Sequence, residues 1–196
     1  MERFDVLGDL NSGNCLKIKF TSDHLGLSYR WIHVDIMRGE TKTEEFLKLN
    51  PVGQVPVVLF ADGRVLSQSN AIIKYLAKDS SLVGKDDFES AKIDEWLFWE
   101  QYSHEPAIAV LRFQRVYKGV PFSELDPLLI DRSKNALKIM EDHLKQNRYL
   151  VGDRLTVADI SLFAYTNLAP QAGLNLEDYP RVQMWLGRCK KDLNLS

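Results

Sequence analysis

The sequence predicts an α/β half with the order βαβαββα followed by an all-helical half, the class α/β plus all-α. Three observations predict it. Residues 3–34 carry strand-like segments on either side of one helical segment, the pattern of a parallel βαβ unit. Residues 56–66 carry two strand-like runs around Asp62-Gly63, a hairpin turn signal. Beyond Lys78 a polar stretch leads into a chain with helical spacing and no convincing strand. The boundaries read as a first domain over 1–79, a linker over 80–87 and a helical domain over 88–196.

Each element has its own warrant. Residues 3–8 place Phe4, Val6 and Gly8 on one face of a strand, and Asn11-Ser12-Gly13 punctuates its end. A helix follows to about Gly26, which suits its C-terminal cap; Cys15, Leu16, Ile18, Phe20 and Leu25 give it apolar surface. Tyr29 to Val34 alternates apolar and polar residues and predicts a strand parallel to the first. Phe46 and Leu49 predict a short helical turn ending at Asn50-Pro51. Pro56 to Phe60 is a strong strand, Val65-Leu66 its return, and Ile72, Ile73, Leu76 and Ala77 have helical spacing.

In the second half, Phe88 to about Lys118 predicts one long aromatic-rich helix, kinked at Pro106. Pro121 to Leu125 reads as a loop. Leu128 to Leu144 is amphipathic, with Leu128, Leu129, Ala136, Leu137, Met140 and Leu144 as its stripe. Thr156 followed three residues later by Asp159 forms a capping box, and Leu155 and Ile160 take the hydrophobic-staple positions, so a helix through Ala169 should begin there. Tyr179-Pro180 opens a last helix carrying Val182, Trp185 and Leu186.

Composition narrows the function. A formal charge of −2 over 196 residues argues against nucleic acid, which selects a basic face. The one tight basic cluster, Arg188, Lys190 and Lys191, reads as solvated helix surface. No apolar run is long enough to span a bilayer, and the N-terminal residues lack the pattern of a signal peptide. Two cysteines, Cys15 and Cys189, form neither a disulfide framework nor a zinc spacing, and the four histidines have no metal-ligand spacing. The expectation is a cytoplasmic, membrane-free protein without a metal.

Four features carry candidate chemistry, each beside a plainer reading. Val55-Pro56 enters a strand through a proline, so Val55 can pair its backbone with an extended peptide, or Pro56 is an ordinary edge proline. Gln68-Ser69 opens a helix and suits a carboxylate, or Ser69 is a plain cap. Ser12, at the start of the first helix, can donate a hydrogen bond to a thiolate, or it too is a cap. Cys15 is a buried core thiol, the preferred reading, or a redox nucleophile. Thr41, Lys42 and Gln54 by themselves read as surface.

In order and spacing these pieces resemble the cytosolic glutathione S-transferases over essentially the whole chain, most closely the bacterial, theta-like members that use serine. The matching fragments are Ser12-Gly13-Asn14-Cys15, Glu45-Phe46-Leu47 leading to Asn50-Pro51, Gly53-Gln54-Val55-Pro56, Asp62-Gly63, Gln68-Ser69-Asn70-Ala71-Ile72, and Thr156-Val157-Ala158-Asp159. The resemblance implies a thioredoxin-like first domain and an all-helical second one. It implies that Val55 pairs with the cysteinyl backbone of glutathione beside a cis Pro56. It places Gln68 and Ser69 on the γ-glutamyl end and Thr41, Lys42 and Gln54 toward the glycyl end. Position 41 is Thr where similar sequences often carry His, and Gln68 replaces an acid common in theta-like members. No tyrosine follows the first strand, which sets aside the tyrosine-using classes.

The function implied is conjugation of reduced glutathione to small hydrophobic electrophiles. Ser12 stabilises the thiolate, and Phe98, Tyr102 and Phe113 line an apolar cleft between the domains. Packing of helix against helix is the competing reading for each of these aromatics. Family resemblance also implies a homodimer. Two rivals stand beside conjugation: a glutathione-dependent disulfide reductase or peroxidase using Asn11, Ser12 or Cys15, and a non-catalytic binding module of the same architecture.

Overall fold

The computed structural model describes residues 3–195. The chain divides into two compact units, residues 1–80 and 81–196.

The first unit has the order β1 (Phe4–Gly8), α1 (Gly13–His24), β2 (Tyr29–His33), α2 (Glu44–Leu49), β3 (Val57–Phe60), β4 (Val65–Ser67) and α3 (Ser69–Ala77). This is the βαβαββα order read from the sequence. Its sheet runs β2-β1-β3-β4. β1 pairs parallel with β2, from Phe4↔Tyr29 to Gly8↔His33. β1 pairs antiparallel with β3, Phe4↔Phe60 to Leu7↔Val57, and β3 with β4, Val57↔Ser67 to Leu59↔Val65.

The alternation in β1 is that of a strand covered more closely on one face: Phe4, Val6 and Gly8 are buried while Asp5 and Leu7 are partly exposed. α1 and α3 pack against each other, and Cys15, Ile18, Ile72 and Ile73 are all fully buried. The other face carries α2, whose Phe46 packs with Val34 and Val57, with Leu7, Leu49 and Val55 around them. α1 ends in a Schellman turn. The Leu27 N–H donates to the Ser22 carbonyl at 2.9 Å and the Gly26 N–H to that of Asp23 at 3.1 Å. Gly26 supplies the left-handed residue this turn needs, at φ +62°.

The second unit contains α4 (Asp87–Trp99), α5 (Glu105–Val116), α6 (Pro127–His143), α7 (Val157–Thr166) and α8 (Pro180–Asp192). The predicted long helix runs on through a π-helical turn, Glu100–His104, in the turn just before Pro106. Pro106 sits at the start of α5, and Tyr102, four residues before it and so the usual partner of the N–H it lacks, lies inside that π-helical turn. Two expectations are corrected. The predicted loop at 121–125 contains a 3₁₀ turn, Phe122–Glu124. The stripe of α6 omits Leu128, which is 68% exposed at the helix start, while Ala136, Leu137 and Met140 are buried.

α7 is buried at every position. A helix hydrophobic on all sides belongs at the centre of a bundle, and its polar members must then find partners. Thr166 does: its hydroxyl donates to the Leu162 carbonyl at 2.8 Å, and Nε2 of His104 lies 2.9 Å from it. Ile108 and Leu111 of α5, Leu137 of α6 and Tyr165 of α7 join Leu125, Ala169, Ala172 and Leu174 in one apolar cluster. The capping box of α7 is present, and its helix ends at Thr166, short of Ala169, which opens a 3₁₀ turn.

Candidate functional site

The strand register decides where the candidate residues gather. Leu7 lies opposite Val57, and Val57 opposite Ser67. Gly8, the last residue of β1, lies opposite His33, the last of β2. So the exits of β1, β2 and β4 and the entrance of β3 share one end of the sheet. From that end the chain runs on to Ser12, toward Thr41 and Lys42, back through Gln54-Val55-Pro56, and into Gln68-Ser69.

Ser12 occupies the cap position of α1 with extended backbone, φ −85° and ψ 122°, yet its side chain makes no capping bond. Its hydroxyl instead meets the Cys15 thiol. Burial pushes that thiol up to about 11, against the hydrogen bond from Ser12 that pulls it down. Cys15 is therefore a protonated core thiol, a weak partner for a hydroxyl compared with an anion. This disfavours Cys15 as a redox nucleophile. Ser12 itself is partly exposed.

Val55 stands just outside the paired register, which begins at Val57, and the Val55-Pro56 bond is cis. The Asn50 side-chain amide holds the approach by donating to the Gln54 carbonyl at 2.8 Å. Lys42 is exposed, and its Nζ donates to the Gly53 carbonyl at 2.9 Å. That contact ties the segment after β2 to the entrance of β3. Thr41 is buried at 6% exposure, whereas the Gln54 side chain is open to solvent.

Gln68 has φ +70° and ψ 110°, an uncommon conformation for a residue with a Cβ. Such conformations cost roughly 1–3 kcal/mol and concentrate where a backbone must be aimed. Ser69 is the first residue of α3, and its hydroxyl is not a cap. It donates to Oδ1 of Asn14 at 3.0 Å and accepts from Nζ of Lys17 at 3.4 Å. Lys17, which is not among the candidates named from the sequence, is fully buried. Its signal was a lysine on the helical line of Gly13 and Thr21, both buried.

The aromatic candidates of the helical unit are dispersed. Phe98 and Tyr102 are 74% and 88% exposed, so helix-to-helix packing is not their role. Tyr102 lines a cavity of about 470 Å³ within this unit, with Trp99, Pro106, Arg132, Asn135 and Ile139. Phe113 is half-buried and stacks on Tyr117 at 5.1 Å. Phe98 and Phe113 do not line that cavity. Among the described residues no cluster of His, Cys, Asp or Glu has the geometry to hold a metal, and no helix is long and apolar enough to cross a membrane.

The arrangement defines a class: a thioredoxin-like α/β unit followed by a separate helical unit. Comparison with known proteins gives the family. The family model for the glutathione S-transferase N-terminal domain matches residues 11–79, and that for the C-terminal domain matches residues 129–191. A probable glutathione S-transferase of Oryza sativa subsp. japonica is 30% identical, over 93% of this chain and 89% of its own. A crystal structure of a glutathione S-transferase from Pseudomonas fluorescens superposes with a TM-score of 0.91 at 42% identity, covering 95% of this chain and 94% of that one. One of a possible glutathione S-transferase from Rhodopseudomonas palustris gives 0.94 at 37%, covering 98% and 96%. The chain belongs to the glutathione S-transferase family.

Proposed function

We propose that the chain binds reduced glutathione at this end of the sheet and conjugates its sulfur to small hydrophobic electrophiles. The observation that carries the reading is the convergence there of three different offers. These are a hydroxyl not spent on capping (Ser12), a strand entrance outside the ladder (Val55), and a helix start (Gln68-Ser69).

Each offer matches one part of the tripeptide. Val55 pairs with the cysteinyl backbone as an added strand would. The first N–H groups of α3 and the Gln68 side chain meet the γ-glutamyl carboxylate, which the helix dipole favours. Lys42 and Gln54, both exposed, meet the glycyl carboxylate; Thr41, being buried, is given no contact with it. The cysteinyl sulfur then falls toward Ser12. An ordinary thiol titrates near ~8.5, and a donated hydrogen bond at a helix N-terminus lowers that value, enriching the thiolate at neutral pH. The thiolate attacks the electrophilic carbon, the new C–S bond forms, and the leaving group departs with its electron pair. Tyr102, on the cavity of the helical unit, is the aromatic assigned to the electrophile; Phe98 and Phe113 lie outside that cavity and are given no such role. Pairing of two chains belongs to the same proposal, with light scattering as its check.

The test is calorimetric titration with reduced glutathione, followed by a panel of electrophiles and disulfides. Binding with turnover of electrophiles supports conjugation. Binding with turnover of disulfides or peroxides alone transfers the site to redox chemistry. Absence of glutathione binding leaves a non-catalytic module.

A further inference from the structure

Lys17 is fully buried, although lysine is among the residues least often found inside a protein. It lies on α1, one turn beyond Asn14, and its Nζ reaches across to α3. There it donates to Oγ of Ser69 at 3.4 Å and to Oδ1 of Asn70 at 3.3 Å. Ser69 in turn donates its only O–H to Asn14 at 3.0 Å. The first turns of the two helices are thus joined through side chains more than fifty positions apart in sequence.

Three consequences follow. Ser69's hydroxyl proton is committed inward, so the donors that Ser69 turns outward are those of its backbone. The strained Gln68 conformation sits directly against a residue pinned on two sides, which supplies the restraint that such a backbone needs. And a buried ammonium behind a helix N-terminus adds positive potential where the dipole already favours an anion, in surroundings where water screens it least.

We propose that Lys17 is a positioning residue that fixes the Gln68-Ser69-Asn70 turn and so tightens the hold on the ligand's γ-glutamyl α-carboxylate. This rests on the glutathione reading above. Lys17 touches neither ligand nor reacting sulfur; it acts through Ser69 and Asn70.

The experiment is a thermodynamic cycle between protein and ligand. Glutathione and its analogue with the γ-glutamyl α-carboxylate converted to the amide are titrated into wild type, Lys17→Met, Lys17→Arg and Asn70→Ala. Wild type failing to bind glutathione would sink the site reading itself. Given that binding, Lys17→Met should weaken glutathione about tenfold and the amide analogue by less than about twofold. Lys17→Arg should recover most of the loss. A structural role alone predicts equal loss for both ligands, and that result overturns the proposal, as does unchanged glutathione affinity. If Lys17→Met does not fold, Asn70→Ala decides by the same comparison: a loss confined to glutathione supports the proposal, and an equal or absent loss overturns it.

Discussion

The indole N–H of Trp185 on α8 donates to Oδ1 of Asp159 on α7 at 2.9 Å. The same oxygen accepts from the Leu150 N–H at 2.9 Å. Oδ2 accepts from the backbone N–H of Thr156 at 3.0 Å and from its hydroxyl at 2.8 Å. One fully buried carboxylate therefore closes the start of α7 and ties it to α8 and to the segment before it.

Removing that carboxylate strands four donors. Asp159→Ala should lower stability by about 4 kcal/mol, because buried donors lose charge-assisted partners. Thr156→Val, which forfeits only a hydroxyl and one cap bond, should cost about 1 kcal/mol. Urea denaturation followed through Trp fluorescence separates the two. Equal effects would show that the cap alone, and not the tie to α8, accounts for the role of Asp159.

The same group sets a pH dependence. Burial raises the Asp159 carboxyl from 3.8 to about 6, against the four hydrogen bonds that pull it down. The folded protein therefore binds this proton more tightly than the unfolded chain does. The stabilisation that comes from this tighter proton binding is fully present below pH 3.8 and is lost as pH rises through about 6, leaving the four hydrogen bonds to the ionised carboxylate. Glu89 runs the other way. Its bonds from Arg154, then from the Lys85 N–H, hold it at about 2 against an ordinary 4.5. The stability difference between wild type and Glu89→Gln should be constant above pH 4.5 and vanish as pH falls toward about 2. A difference that persists at the acid end would remove Glu89–Arg154 as its source.

What the sequence made legible was local. Thr156, Asp159, Leu155 and Ile160 lie within six positions, so a capping box and its staple can be read by spacing alone. The hairpin at Asp62-Gly63 and the βαβ alternation are local for the same reason. The partners of Asp159 at Trp185 and of Ser69 at Lys17 are set by packing between elements distant in sequence, which no period encodes. Pro106 marked where the long helix departs from α geometry; the form of that departure, a π-helical turn over Glu100–His104, could not be read because its five residues keep helical composition. The sheet-end residues were legible as types and order. Their meeting at one place required the register Leu7–Val57–Ser67.

Ser12 tests the chemistry. The Ser12 hydroxyl meets a protonated thiol, so Ser12→Ala removes no partner from a charge at Cys15 and should fold normally. Loss of a donor to a reacting anion should reduce conjugation roughly a hundredfold at saturating glutathione. Glutathione affinity at low pH, where the bound sulfur is protonated, should change little. Spectroscopic titration of the bound thiol should show its pKa rising toward the free value. An unshifted thiol would assign the activation to some other group.

Cys15 gives the complementary result. Its fully buried thiol titrates at about 11 and is not poised to attack a disulfide. Cys15→Ala should retain conjugation within about twofold, and any disulfide reduction along with it, while losing about 1 kcal/mol of packing. Selective loss of disulfide reduction in a variant that stays folded would make Cys15 a nucleophile despite its burial.

Gly53 closes the geometry at the β3 entrance. It has φ +65°, and a Cβ there would lie 2.7 Å from Nζ of Lys42 and 2.9 Å from the Thr41 carbonyl oxygen. The lysine can swing away but the carbonyl cannot, so Gly53→Ala strains the backbone and breaks the Lys42–Gly53 contact together. About 1–2 kcal/mol of stability should be lost from the left-handed conformation alone. Lys42→Met breaks the same contact without backbone strain. It should leave the melting temperature unchanged, because an exposed cation contributes little to folding, and on the proposed glycyl-carboxylate role of Lys42 it should weaken glutathione. If Lys42→Met binds glutathione as wild type does while Gly53→Ala does not, the entrance acts through its backbone shape and the glycyl end is held by Gln54 and the neighbouring N–H groups.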